Sequence, residues 1–158
     1  TNYGTDLNFG ANPFTIEFWY KDNGTSKVNA GIVTTSISSV SWCFFILSGN
    51  MCFGAGTGAA WDISNYSNVI GAVSTSSYNF FTVCRSGNTF IFYKDGVQTY
   101  TLTSASAIAN ASGMQIGRYY NNNTYASKGY VDNLKIYNYC KYSFGTNGIK
   151  YFNLPNKP

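Results

Sequence analysis

The chain has 158 residues, with ten Lys plus Arg against six Asp plus Glu, no histidine, and an aromatic content of 18% against 10% charged residues. A chain of this length supports one hydrophobic core and not two, and no run approaches the roughly 18 apolar residues of a membrane-spanning helix. The lack of histidine removes Ser-His-Asp and Cys-His nucleophile activation and two-His metal sites, which leaves only the scattered carboxylates Asp6, Glu17, Asp22, Asp62, Asp95 and Asp132 for catalysis.

The net charge of +4 does not point to nucleic acid, because Arg occurs only at Arg85 and Arg118 and the lysines are spread singly. Without a basic stripe, these cations read as a solvated surface. Cys43, Cys52, Cys84 and Cys140 contain no C-x-x-C pair and sit mostly in apolar runs, so they read as four free thiols rather than a disulfide framework or a zinc site. The amino end has neither a basic start nor an apolar segment of the kind a secretory leader carries.

In chain order, Phe14 to Tyr20 alternates Phe14, Ile16, Phe18 and Tyr20 against Thr15, Glu17 and Trp19, the period of a strand. Strands follow at Asn29 to Ile37 and Val40 to Ser48, and the turn at Ser48-Gly49-Asn50 leads into Met51 to Gly56 as a hairpin. Ala59 to Asn68 reads as a surface loop, and Val69 to Ser74 as another strand. Phe80 to Arg85, Thr89 to Tyr93 and Val97 to Leu102 form a meander, with Asp95-Gly96 suited to a two-residue type I′ turn. Only Ser104 to Asn110 has the composition of a short helical turn; Gly113 to Arg118 and Gly129 to Tyr137 complete the strands around the polar loop Tyr119 to Ser127.

Nine or ten short strands with turn residues between them predict an all-β fold, a sandwich or barrel of antiparallel sheets. A three-residue loop at Ser86 to Asn88 places Phe81, Val83, Ile91 and Tyr93 on one face of the meander and Thr82, Cys84, Phe90 and Phe92 on the other. Both faces are then apolar, and one sandwich core covers only one of them. The other face requires a cover, and the expected cover is a second chain, with Phe90, Phe92 and Tyr142 as protein-contact residues.

The order of motifs resembles that of laminin-G-like, concanavalin-A-like jelly rolls. Asp6 to Trp19 (DLNFGANPFTIEFW) is similar to the family's amino-terminal strand, Phe81 to Val97 (FTVCRSGNTFIFYKDGV) to its central hairpins, and Ile116-Gly117-Arg118 followed by Gly129 to Ile136 to its closing strands. Residues 139–158 read as an irregular tail on a single domain spanning 1–158, and Tyr139 to Phe144 with Leu154-Pro155 resembles the tail of such domains in tailed-bacteriophage virion proteins. The resemblance implies a concanavalin-A-like jelly-roll sandwich of two antiparallel sheets. The core expected for it is Phe14, Ile16, Phe18, Trp42, Phe44, Val83, Ile91, Ile116, Val131, Leu134 and Ile136.

The family's glucanase branch carries an E-x-D-x-E cluster that this chain lacks: Glu17 is the only glutamate and reads as a buried structural acceptor. Asp95 is explained by its turn, and Asp62 with Asn65 falls short of a calcium ligand set. No catalytic residue, metal or cofactor is expected.

Tyr119, Tyr120, Asn121, Asn122 and Tyr125, with Trp61 and Tyr66 from the other long loop, combine aromatic faces that stack on sugar rings with amides that pair with sugar hydroxyls. The leading expectation is a non-enzymatic structural or decorating protein of a phage-like virion, assembled in the host cytoplasm and bound to other virion proteins or to copies of itself. The alternative is a glycan-binding adhesin module acting at an extracellular surface.

Overall fold

The computed structural model describes residues 7–24, 29–35, 40–65, 68–111, 113–119, 123–142 and 152–158. Among the described residues ten strands follow in chain order: β1 (Phe14–Lys21), β2 (Ala30–Thr34), β3 (Val40–Leu47), β4 (Asn50–Gly58), β5 (Val69–Ala72), β6 (Asn79–Ser86), β7 (Thr89–Lys94), β8 (Val97–Thr103), β9 (Gln115–Ile116) and β10 (Tyr130–Tyr137). Every strand pairing is antiparallel. One sheet runs β10-β1-β6-β7-β8 and the other β5-β4-β3-β2-β9. This is the expected two-sheet jelly-roll sandwich. The last part of the strand expected to end at Ile37 lies outside the described residues, and Ser104 to Asn110 contains no helix: it crosses the end of the sandwich, with Ile108 buried and its N–H donating to Gly10 O.

Period-2 alternation places Phe14, Ile16, Phe18 and Tyr20 of β1, Phe81 and Val83 of β6, Trp42, Phe44 and Ile46 of β3, and Met51 and Phe53 of β4 between the sheets. Aromatic rings bind the two layers: Phe18 meets Phe44 edge-on at 4.9 Å, and Phe53 meets Phe92 at 6.0 Å. Val131, Leu134 and Ile136 of the edge strand β10 pack against this core only partly buried, and Ile116, expected inside, is 55% exposed on the two-residue edge strand β9.

Two turns follow from their residues. Ser48-Gly49 and Asp95-Gly96 both have positive φ at both positions (49° and 76°, 50° and 78°), the type I′ geometry that matches strand twist. Asp95 also accepts from the backbone N–H of Phe80 and the side-chain amide of Asn79.

The hairpin between β6 and β7 departs from expectation. Ser86 pairs with Thr89, so the loop is the two residues Gly87-Asn88, and Val83 faces Phe92, Cys84 faces Ile91 and Arg85 faces Phe90 across the ladder. A one-residue change of register exchanges faces. Phe90 and Phe92 therefore join Phe81 and Val83 fully buried in the inter-sheet core, whereas Ile91 shares the outer face with Cys84 and Tyr93. Neither phenylalanine reaches the surface as a protein contact.

Arg85 is not a solvated cation either. It is fully buried beside Phe90, 4.7 Å from the ring centroid, and its guanidinium donates to the carbonyls of Gly87, Gly10 and Ser104 at 2.9, 2.9 and 3.1 Å. Burial holds its pKa below the ordinary arginine value. Three backbone carbonyls from three loops satisfy the charge, so Arg85 ties one end of the sandwich together.

The outer face of the β10-β1-β6-β7-β8 sheet is covered by the chain's own carboxy-terminal segment. Tyr142 and Phe152 stack at 3.7 Å and pack on Tyr93, and Tyr142, 8% exposed, lies against Cys84 and Ile91. Tyr142 is thus an internal contact, and among the described residues Cys84, Ile91 and Tyr93, the apolar outer face of the meander, are buried in the cluster it completes.

Glu17, 1% exposed, is the anchor of this cover, as its expected role of buried acceptor implies. Its acceptors serve side chains rather than backbone amides: Tyr142 Oη donates at 2.7 Å, Lys141 Nζ at 2.7 Å and Tyr137 Oη at 3.3 Å.

Burial opposes the Lys141 ammonium, but its contacts with Glu17 and Tyr142 outweigh that and raise its pKa; burial raises those of Tyr142 and Tyr93. All three groups hold their protons more tightly in the folded chain. Their stabilisation is complete below the ordinary values of 10.0 and 10.5 and is lost as pH rises through the folded ones. The urea midpoint is therefore expected to fall steeply above about pH 10, with a shallower fall in Tyr142→Phe. Equal alkaline slopes for the two proteins would contradict this assignment.

Candidate functional site

The sheet β5-β4-β3-β2-β9 carries a second, smaller cluster on its outer face. Alternation along β3 and β4 turns Cys43, Phe45 and Cys52 away from the core, and Leu47, Trp61, Tyr119 and Tyr125 pack on them. Two long connections supply the cover: β4 to β5 brings Trp61, and β9 to β10 brings Tyr119 and Tyr125, the latter on a 3₁₀ turn (Asn123–Tyr125).

Glycines set the height of these loops above the sheet. A Cβ on Gly54 would lie 2.8 Å from Trp61 Cε3, so the indole rests on bare backbone. A Cβ on Gly31 would lie 2.7 Å from both Arg118 C and Tyr119 Cβ, so the second loop crosses β2 at the same close distance. That crossing is pinned by a bridge between Gly31 and Ala126 and by the Gly117 N–H donating to Ile32 O at 2.8 Å.

The result is an aromatic row. Trp61 and Tyr119 have centroids 6.2 Å apart with planes inclined at 34°, and Tyr125 meets Tyr119 edge-on at 5.9 Å. Tyr119 is buried and forms the floor, while Trp61 and Tyr125 are half-buried and keep part of each ring at the surface. Of the residues singled out in the sequence, Trp61, Tyr119 and Tyr125 come together; Tyr66, Tyr120, Asn121 and Asn122 lie outside the described residues.

Beside the row, Asp62 accepts from both the backbone N–H and the hydroxyl of Thr57, bonds that hold its pKa below the ordinary carboxylate value. This carboxylate fastens the loop that carries Trp61. Beneath the row, burial pushes the Cys43 thiol far up and the Cys52 thiol up to about 11, so both stay protonated and inert. Among the described residues no three His, Cys, Asp or Glu side chains gather as a metal ligand set.

The sequence matches the model of the concanavalin A-like lectin/glucanases superfamily over residues 3–142. The chain belongs to this superfamily. No curated protein sequence matches the chain. Solved structures with the same fold include the binding domain of botulinum neurotoxin DC in complex with SialylT, 16% identical with a TM-score of 0.56 over 82% of this chain and 33% of that one. A structure of botulinum neurotoxin type C, whose cell entry depends on interaction with two ganglioside molecules, is 15% identical with a TM-score of 0.58 over 82% and 33% of the two chains. Domain 4 of AbnA, an extracellular arabinanase from Geobacillus stearothermophilus, in complex with arabinotriose, is 15% identical with a TM-score of 0.59 over 83% and 63%. This member of the superfamily thus spans about a third of the neurotoxin chains and under two thirds of the arabinanase domain.

Proposed function

We propose that this superfamily member is a non-catalytic glycan-binding module whose recognition surface is the aromatic row on the outer face of the β5-β4-β3-β2-β9 sheet. The observation that carries the reading is the pairing of Trp61 and Tyr125, both half-buried on glycine-lowered loops, around the buried floor of Tyr119. Sugar rings present apolar C–H faces that such rings match, and rings already held by packing lose little entropy on binding. The named ligands of the similar structures, gangliosides and arabinotriose, are of the same chemical class. A non-enzymatic role is supported by the carboxylates: Glu17 is buried under three donors, Asp95 fixes a turn and Asp62 fastens a loop.

A structural or decorating role in a virion stands on the likeness of the tail sequence alone; the apolar face that suggested a protein partner is buried, at Cys84, Ile91 and Tyr93, under the chain's own Tyr142 and Phe152. As a glycan-binding module the chain acts where glycans are displayed, at a cell or particle surface.

The test is a glycan array followed by titration of the best ligand. Trp19 and Trp42 are 2% and 0% exposed, so a change in tryptophan emission on binding reports Trp61. Trp61→Ala should weaken binding about 30-fold, the roughly 2 kcal/mol of an aromatic anchor, with Tyr125→Ala following. Binding that survives both substitutions unchanged would place the site elsewhere, and an array with no ligand would remove the glycan reading.

A further inference from the structure

Independently of glycan binding, the cover over the opposite sheet contains a pair of thiols with no assigned role. Thr15 on β1 pairs with Cys84 on β6. Its Oγ1 lies 3.3 Å from Cys84 Sγ and 2.9 Å from Tyr139 O, and it accepts the Lys141 N–H at 2.9 Å. One hydroxyl therefore holds the backbone on both sides of Cys140 directly over Cys84. Cys140 packs against the buried cluster that contains Cys84, which sets the two thiols beside each other.

We propose that Cys84 and Cys140 form a thiol–disulfide site that staples the carboxy-terminal cover to the sheet on reaction with a small-molecule disulfide such as oxidised glutathione. The two thiols differ in the way this exchange requires. Cys140 is half-buried and reachable from solvent; the hydrogen bond from Cys84 outweighs its partial burial and holds its pKa at about 7, which supplies thiolate at neutral pH. Cys84 is fully buried, and burial raises its pKa, which suits a resolving thiol that reacts only with a sulfur already above it.

In the first step the Cys140 thiolate attacks one sulfur of oxidised glutathione; the S–S bond breaks and one glutathione leaves as thiolate, then takes a proton. In the second, Cys84 attacks the Cys140 sulfur, the mixed S–S bond breaks, and the Cys84 proton passes to the departing second glutathione, which leaves as the thiol. Two protein thiols are oxidised to one disulfide, and one glutathione disulfide is reduced to two thiols.

Cys43 and Cys52, buried with raised pKa values, serve as internal controls. The folded full chain is incubated with excess oxidised glutathione at about pH 7.5, then denatured, alkylated and mapped by mass spectrometry. The expected product carries alkyl groups only on Cys43 and Cys52 and a peptide linking Cys84 to Cys140. Cys84→Ser, which keeps the half-buried attacking thiol, should stop with one glutathionyl group on Cys140. Four alkylated cysteines in the wild type, a disulfide that includes Cys43 or Cys52, or a wild-type product that stays glutathionylated at Cys140 would each overturn the proposal.

Discussion

Glu17→Ala should destabilise the protein by about 3 kcal/mol, the low end of the cost of leaving a buried ionic partner alone, because Lys141 remains 32% exposed and recovers part of its hydration. The carboxylate accepts from Tyr142, Lys141 and Tyr137, and its loss leaves the Tyr142 hydroxyl without its acceptor under an aromatic roof. For a domain of this size that is a fall in melting temperature of about 6–12 °C. Glu17→Gln keeps an acceptor for Tyr142 and should cost less than half as much. The effect is expected to be shared with the cover: Glu17→Ala and Tyr142→Phe should be less than additive, by about 0.5 kcal/mol or more. Urea denaturation of the four proteins of this cycle measures it. A loss below about 1 kcal/mol for Glu17→Ala would mean that the carboxylate is not what holds residues 139–142 in place.

The second large effect is expected at a residue that touches no ligand. Gly31→Ala introduces a Cβ 2.7 Å from Arg118 C and Tyr119 Cβ and 2.8 Å from Arg118 O, backbone atoms and a first side-chain carbon that offer no flexible end to move aside. The β9–β10 connection must lift from β2. Overpacking of this kind costs about 1–3 kcal/mol, and it should also separate Tyr119 from Trp61, now 6.2 Å apart. If the aromatic row is the recognition surface, Gly31→Ala loses glycan binding about as fully as Trp61→Ala, while the inter-sheet core is untouched and the chain still unfolds cooperatively. Full binding by a folded Gly31→Ala protein would show that the position of Tyr119 is irrelevant to recognition.

Much of the architecture is local and was legible without coordinates. Alternation in FTIEFWY predicts β1 and its inward residues, Asp95-Gly96 predicts its turn, and the motif order predicts the superfamily, because strand period and turn chemistry depend on neighbours within a few residues. Trp61, Tyr119 and Tyr125 were legible as residue types suited to sugar stacking. Their convergence was not: it depends on two connections far apart in the chain crossing the same sheet, at heights set by Gly54 and Gly31. Those glycines carried a signal in the sequence, since a glycine within a strand marks a close approach by something else.

What only the tertiary structure decided is how each outer face is covered. A loop of two residues rather than three at Gly87-Asn88 moves Phe90 and Phe92 inside, because side chains alternate at every step and a single slip reverses all of them. Arg85 reads as a surface charge until three distant carbonyls converge on it, and Tyr142 reads as a contact for another chain until Glu17, well over a hundred residues earlier, accepts its hydroxyl. The sequence alone determined the strands, the type I′ turn at Asp95-Gly96 and the class of fold. Long-range pairing determined which apolar residues are core, which polar ones are anchors and where the exposed aromatic surface lies, since burial belongs to the packed chain and not to any segment of it.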